Sequence, residues 1–165
     1  MTEDEGRSPG AGGNGAAGTE AGTPQLIVNA QYVKDLSFEN PRAPQSLIQP
    51  KGQPDVALDV DVKARAIGPD LYEVLLTISA EAKAEGEPVF IVQLAYAGVV
   101  TAKSGDQTIL AGLILVETPR LLFPFARAII AQATREGGFP PLYITPIDFA
   151  ELLRRQQAGG GTGIG

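Results

Sequence analysis

Residues 56–99 read VALDVDVKARAIGPDLYEVLLTISAEAKAEGEPVFIVQLAYAGV, and this stretch decides the fold. Within it Val56, Leu58, Val60, Val62, Ala64 and Ala66 alternate with Asp59, Asp61, Lys63 and Arg65. Tyr72, Val74, Leu76, Ile78 and Ala80 then alternate with Glu73, Thr77, Ser79 and Glu81. A period of two marks a strand with one wet face. The run from Val89 to Val99 is apolar on both faces, with Gln93 its polar interruption. Gly68-Pro69-Asp70 and Glu85-Gly86-Glu87-Pro88 separate the runs as turns. Connections this short between amphipathic strands predict antiparallel hairpins.

Upstream, Leu26 to Glu39 reads as a further strand, with apolar residues mostly at even positions and Gln31, Asp35, Ser37 and Glu39 at odd ones. Pro41, Pro44, Pro50 and Pro54 punctuate the link to the next strand and predict an extended crossover instead of a hairpin. Downstream the period changes. Ser104 or Asp106 can cap a helix through Ile109, Leu110, Leu113 and Ile114. Thr118-Pro119 restarts or kinks it, because proline has no N–H to give the preceding turn. Leu122, Phe125, Ala126, Ile129 and Ala133 continue at helical spacing, and Gly137-Gly138 closes the run. Thr145-Pro146 opens a last helix with Asp148 in its first turn and Arg154-Arg155 near its end, both suited to the helix dipole. The expected fold is α+β: a four-stranded antiparallel sheet, then a long kinked helix, then a short C-terminal helix. Residues 1–24 form a glycine-rich acidic segment expected to be disordered, 25–157 the folded domain, and 158–165 a flexible glycine-rich tail.

The chain has 165 residues with no Cys and no His, which excludes a disulfide framework, a Cys/His zinc site, a thiol nucleophile and a Ser-His-Asp triad within one chain. A net charge of −6 gives no electrostatic footprint for nucleic acid or anionic lipid and favours cationic partners. The acidic N-terminus lacks the basic start and apolar region of a secretory signal, and no run of uninterrupted apolar residues reaches membrane-span length, so a cytoplasmic location is expected. Asp59 and Asp61 share a strand face and could bind a hard cation or move protons, but Lys63 and Arg65 continue that face as a solvated surface would. Ser104-Gly105-Asp106 is explained by a helix cap. No enzymatic activity, cofactor or metal is expected.

Apolar surplus is more telling. Leu110, Leu113, Leu115, Leu121, Leu122, Phe123 and Phe125 surround much of the long helix, and one small sheet cannot cover them all. Oligomerisation with helices packed between sheets solves this; a helix buried in a monomer is the alternative. The crossover carries Leu47 and Ile48, and with Phe149, Leu152 and Leu153 of the last helix it either walls an apolar trough for an extended chain or simply closes the core.

Across most of 25–157 the chain resembles SecB, the bacterial protein-export chaperone family. The resemblance rests on Tyr32-Val-Lys-Asp-Leu-Ser-Phe-Glu-Asn-Pro41 with Ala43-Pro44, Asp70-Leu-Tyr-Glu-Val74, Phe123-Pro-Phe-Ala-Arg127, and Gly138-Phe-Pro-Pro-Leu142 leading to Thr145-Pro-Ile-Asp-Phe149. It implies a cytosolic homotetramer, a dimer of dimers, that binds unfolded precursor proteins without ATP and delivers them to the SecA ATPase. It also implies that Asp35, Glu39, Ile91 and Gln93 receive the small, basic, zinc-bearing tail of SecA. Taken without the resemblance, Asp35 and Glu39 read as a solvated strand face. Gln93 stands where the family is usually acidic, which replaces an ionic contact with a neutral hydrogen bond at a loss of about 1 kcal/mol. The client groove is assigned to Leu47, Ile48, Val56, Leu58, Phe149, Leu152 and Leu153, without the tryptophan that such crossovers often carry. Two rival readings are a SecB-like chaperone dedicated to one client such as an antitoxin, and a hot-dog-type acyl-binding enzyme, whose main helix would lie early, among the strands.

Overall fold

The computed structural model describes residues 22–159. Its strands are β1 (Gln25–Glu39), β2 (Asp55–Gly68), β3 (Leu71–Ala84) and β4 (Glu87–Lys103), ordered β1-β4-β3-β2 in one sheet. Every neighbouring pair is antiparallel. The helices follow the last strand, apart from a single turn, α1 (Gln45–Ile48), in the crossover. That order is the expected one and differs from the hot-dog arrangement. Residues 1–21 and 160–165, which hold most of the two glycine-rich segments, lie outside the described residues.

The apolar character of β4 follows from its central position between β1 and β3. Val74, Leu76, Ile78 and Ala80 of β3 and Phe90, Val92 and Leu94 of β4 are buried beneath the helices. Gly98 of β4 lies so close to the long helix that a Cβ there would stand 2.9 Å from Leu122 Cδ2. The opposite, open face carries the odd residues of β2, β3 and β4, from Glu73 and Asp59 to Ile91 and Gln93.

β1 departs from simple alternation. Its register against β4 shifts between Val28 and Ala30 and again between Val33 and Asp35, leaving Asn29 and Lys34 as extra residues. Each bulge resets which parity faces the core. Leu26 and Val28 pack against the core, Gln31 and Val33 take that side in the middle, and Phe38 returns to it, stacked 5.9 Å from Phe90. Even-position alternation thus holds at the two ends of β1 and is inverted between them. A one-residue slip reverses every following side chain, a rule that apolar counting alone does not detect.

The helices also refine the expectation. The helical run is continuous from Gln107 to Glu136. It comprises α2 (Gln107–Gly112), a π-helical turn (Leu113–Glu117) and α3 (Thr118–Glu136). Asp106, not Ser104, is the N-cap and accepts from the Thr108 and Ile109 N–H groups. Pro119 does not end the helix, because the wide turn precedes it and Thr118 Oγ1 donates to the Leu113 carbonyl at 2.8 Å. By length and composition this helix could cross a membrane. Here one side of it, with Ile114, Leu122, Ala126 and Ile130, is buried on the sheet. The last helix, α4 (Phe149–Ala158), starts later than Thr145-Pro146. Asp148 is its cap, with extended backbone and a carboxylate that accepts from the Glu151 N–H at 3.0 Å.

Candidate functional site

The open face gathers the four residues assigned to partner docking. Cross-strand pairing sets Asp35 opposite Ala95, Ser37 opposite Gln93, and Glu39 opposite Ile91. On the other side of β4, Gln93 faces Ser79 and Ile91 faces Glu81. Ile91 therefore lies between two carboxylates, Glu39 and Glu81, and the Gln93 amide donates to Ser79 Oγ at 3.5 Å. Asp35, Glu39 and Gln93 are exposed. Glu81 is paired with Lys83 at 3.5 Å, and in the sequence it is one of several polar alternations. Its place beside Ile91 depends on the β3–β4 register, which no local pattern encodes.

Further along the same face, Glu73 collects three donors. Tyr32 Oη donates to its Oε2, and Lys34 Nζ (2.8 Å) and Arg65 Nε (2.9 Å) donate to its Oε1. The side chain of Glu73 is 9% exposed, whereas those of Lys34 and Arg65 are 43% and 62% exposed. Hydrogen bonds from Lys34, then Tyr32 and Arg65, hold the Glu73 carboxyl down to about 2 against the opposing effect of burial. The same bond to Glu73 pushes the Tyr32 phenol up. These contacts reach from β1 over β4 to β3, and from β2 to β3. Ala97, the β4 residue opposite Tyr32, offers only a methyl group in the way.

On the other side of the sheet a cavity of about 550 Å³ opens between the crossover and the loop after α3. Phe90, Val89 and Val56 line it from the strands, Phe139 and Leu142 from the loop, and Arg42, Gln45, Ser46 and residues 49–54 from the crossover. Arg42 pairs with Glu87, and Lys51 with Glu85 at 3.2 Å, so both rim cations are neutralised. Phe90, Phe139 and Phe38 form an aromatic cluster with centroids 5.0 to 6.4 Å apart. The crossover lacks aromatic side chains, and rings from β4 and the loop stand in their place. Phe139 sits in the Gly138-Phe-Pro-Pro-Leu142 segment, whose two prolines hold an apolar stretch out of regular structure. The paired prolines beside Phe139 are the sequence signal for this wall.

Of the assigned groove residues, Val56 lines this cavity. Leu47 lies against Gly138 beside it. Ile48 is 68% exposed, and Leu58 is exposed further along β2. Phe149 is 1% exposed and meets Phe123 edge-on at 6.0 Å, so it belongs to the core. Leu152 packs on that core as well, Leu153 is half-buried, and α4 is tied to β2 by Gln156 Nε2 donating to Asp61 Oδ1 at 2.8 Å. The cavity wall facing the crossover is thus the loop 139–142, not α4.

Apolar side chains also remain uncovered: Val33 and Leu36 on edge strand β1, and Leu121 and Phe125 on α3. Phe125 stacks on Tyr96, the partner of Val33 across β1 and β4, so strand and helix contribute to one surface. No group of His, Cys, Asp and Glu among the described residues is arranged to hold a metal.

A sheet with one charged open face, helices on the other, and an apolar cavity at one end is an α+β architecture that offers an extended polypeptide somewhere to lie. The comparisons agree. A family model described as Preprotein translocase subunit SecB matches residues 19–159, and the chain belongs to the SecB family of protein-export chaperones. It is 52% identical over 138 residues to the Protein-export protein SecB of Rhodospirillum centenum, covering 83% of this chain and 82% of that one. It is 48% identical over 157 residues to that of a Bradyrhizobium species, covering 92% and 96%. Among solved structures, the SecB-like chaperone of Mycobacterium tuberculosis, determined with a ChAD peptide from an antitoxin, shares the fold. Its TM-score is 0.57 at 14% identity, covering 74% of this chain and 90% of that one.

Proposed function

We propose that the chain holds unfolded precursor proteins in the cytosol without ATP, keeps them competent for export, and passes them to SecA. The observation that carries this reading is the cavity: apolar and aromatic side chains on its floor, neutralised ion pairs at its rim, and exposed Leu47 and Ile48 beside it. Such a site accepts apolar side chains of an extended segment with little regard to sequence. A folded protein has buried those segments and is not held.

Several copies working together would hold one client at several points, raising apparent affinity through effective concentration. The uncovered surface formed by Val33, Leu36, Leu121 and Phe125 supports a dimer of dimers built on β1 and the long helices. The open face serves handover. Glu39 and Glu81 flank Ile91, and Asp35 lies farther along the same face opposite Ala95, an arrangement suited to lysine or arginine side chains around an apolar residue in the zinc-bearing SecA tail. Glu81 supplies, from β3, negative charge next to the position that Gln93 leaves neutral.

The test separates the two surfaces. Asp35→Lys with Glu39→Lys is expected to abolish binding of the SecA tail in calorimetry while an unfolded client still binds. An unaltered titration with the tail would remove the docking assignment. A pull-down that recovers a single partner instead of many unfolded precursors would favour the dedicated chaperone.

A further inference from the structure

The docking residues face outward only because β1 carries its second bulge. Tyr32 lies on the open face, opposite Ala97. Simple alternation from Tyr32 would turn Asp35 and Glu39 into the helix layer and expose Leu36 and Phe38 on the open face. The extra residue, Lys34, resets the count, so that Asp35, Ser37 and Glu39 emerge opposite Ala95, Gln93 and Ile91. Lys34 stays on the open face because its ammonium is bound by Glu73, two strands away, and Tyr32 is bound by the same carboxylate. The two β1 residues that bracket Val33, just ahead of the reset, are therefore both fastened to one nearly buried group.

We propose that Glu73 is a positioning residue for the docking face: by fastening Lys34 and Tyr32 to β3 it holds the bulge that turns Asp35 and Glu39 toward the partner. The inference rests on the docking reading given above. Glu73 itself is nearly buried, its carboxylate taken up by Tyr32, Lys34 and Arg65. It also engages the charge of Lys34, the neighbour of Asp35, which would otherwise be free to pair with that carboxylate or to repel a cationic partner.

Glu73→Gln and, separately, Lys34→Gln test this, with a zinc-loaded synthetic peptide of the basic tail as probe and an unfolded precursor as control. Both variants are expected to bind the tail about three- to tenfold more weakly, the loss that one or two hydrogen bonds predict. Client affinity is expected to stay unchanged, and amide exchange over Val33–Phe38 to quicken. Lys34→Gln is the decisive variant. It removes a positive charge beside an acidic patch, so electrostatics alone would tighten binding, whereas loss of positioning weakens it. It is also half exposed and should leave the core intact. Asp35→Asn with Glu39→Gln serves as the reference for the docking reading. If that pair leaves tail binding unchanged, the docking reading falls and this inference falls with it. If the pair weakens binding but Lys34→Gln leaves it equal or tighter, the docking reading stands and the role of Glu73 is overturned.

Discussion

Glu73 shows how much a single side chain can carry without standing out in the sequence. As a polar residue in a period-two run it resembles Thr77 or Ser79, yet it is the buried charge that joins both edge strands to β3. Its ionisation gives a testable pH dependence. The folded carboxyl sits at about 2 against an ordinary 4.5, so the folded state favours the charged form. The resulting stability is fully present above the unfolded value and is lost as pH falls through the window between the two. In urea titrations Glu73→Gln is expected to be less stable than the parent at pH 7, with the difference narrowing toward pH 3. A constant difference across that range would contradict the assignment. Thr134 is a second such residue. Fully buried, its Oγ1 accepts from the Leu142 N–H at 2.9 Å and so ties the cavity loop to α3. Thr134→Val leaves that N–H without its partner and is expected to cost about 1–3 kcal/mol in denaturant unfolding and to weaken client binding. Thr134→Ser keeps both. Neither role was legible in the sequence, because each depends on a partner supplied by another element.

At the scale of elements, much was legible. The hairpins of 56–99, a helix cap within Ser104–Asp106 and the C-terminal stop at Gly137 follow from periodicity and capping chemistry, which act over a few residues, and the fold settles the cap on Asp106. The elements that sequence reading misplaced are those set by distant contacts. The bulges of β1 answer to Phe38 burial and to Glu73. The one-turn helix in the crossover lies among prolines that argue for extended chain; it closes through Leu47 N–H to Pro44 O at 3.0 Å. The last helix begins at Phe149 because Asp148 caps it, although Pro146 suits a helical first position equally well. Asp148→Ala is expected to cost about 1 kcal/mol and to loosen α4 in amide exchange, leaving β3 and β4 protected. The candidate site divides along the same line. Asp35, Glu39, Ile91 and Gln93 are brought together as register predicts, whereas Phe149 was drawn from an amphipathic pattern that serves the core equally well. The aromatic floor of the cavity came from residues that the pattern left unassigned.

For the whole molecule, the apolar residues left uncovered set the expectation. Val33 (46%), Leu36 (44%), Leu121 (48%) and Phe125 (52%) are too exposed to be counted as core, and they occupy one side of the chain near Tyr96. Light scattering is expected to give about four chains per particle, in keeping with closed symmetry built from paired interfaces. Phe125→Asp, which sets a charge on that surface while leaving the sheet intact, is expected to lower the mass and to weaken client binding by loss of multivalency. A monomer at micromolar concentration in the unaltered protein would remove the assembly argument. The same surface accounts for the legibility of the surplus: a helix apolar around much of its girth is visible in any one sequence, but which side meets the sheet is not.

The π turn in the long helix has a bearing on that side. Each residue advances an α-helix by about 100°, so the steps from Ile109 to Leu121 would ordinarily leave them about 120° apart in azimuth. A wide turn absorbs about one residue, which brings the two to within about 20°. Ile109 then falls on the same side as Leu121, with Phe125 about 60° round from it, and all three are exposed. Excising one residue between Leu113 and Glu117 would let the run close as a regular α-helix with the same offset of about 20°, whereas closing the turn at full length would carry Ile109 about 100° away and split a single greasy seam into two short, offset halves.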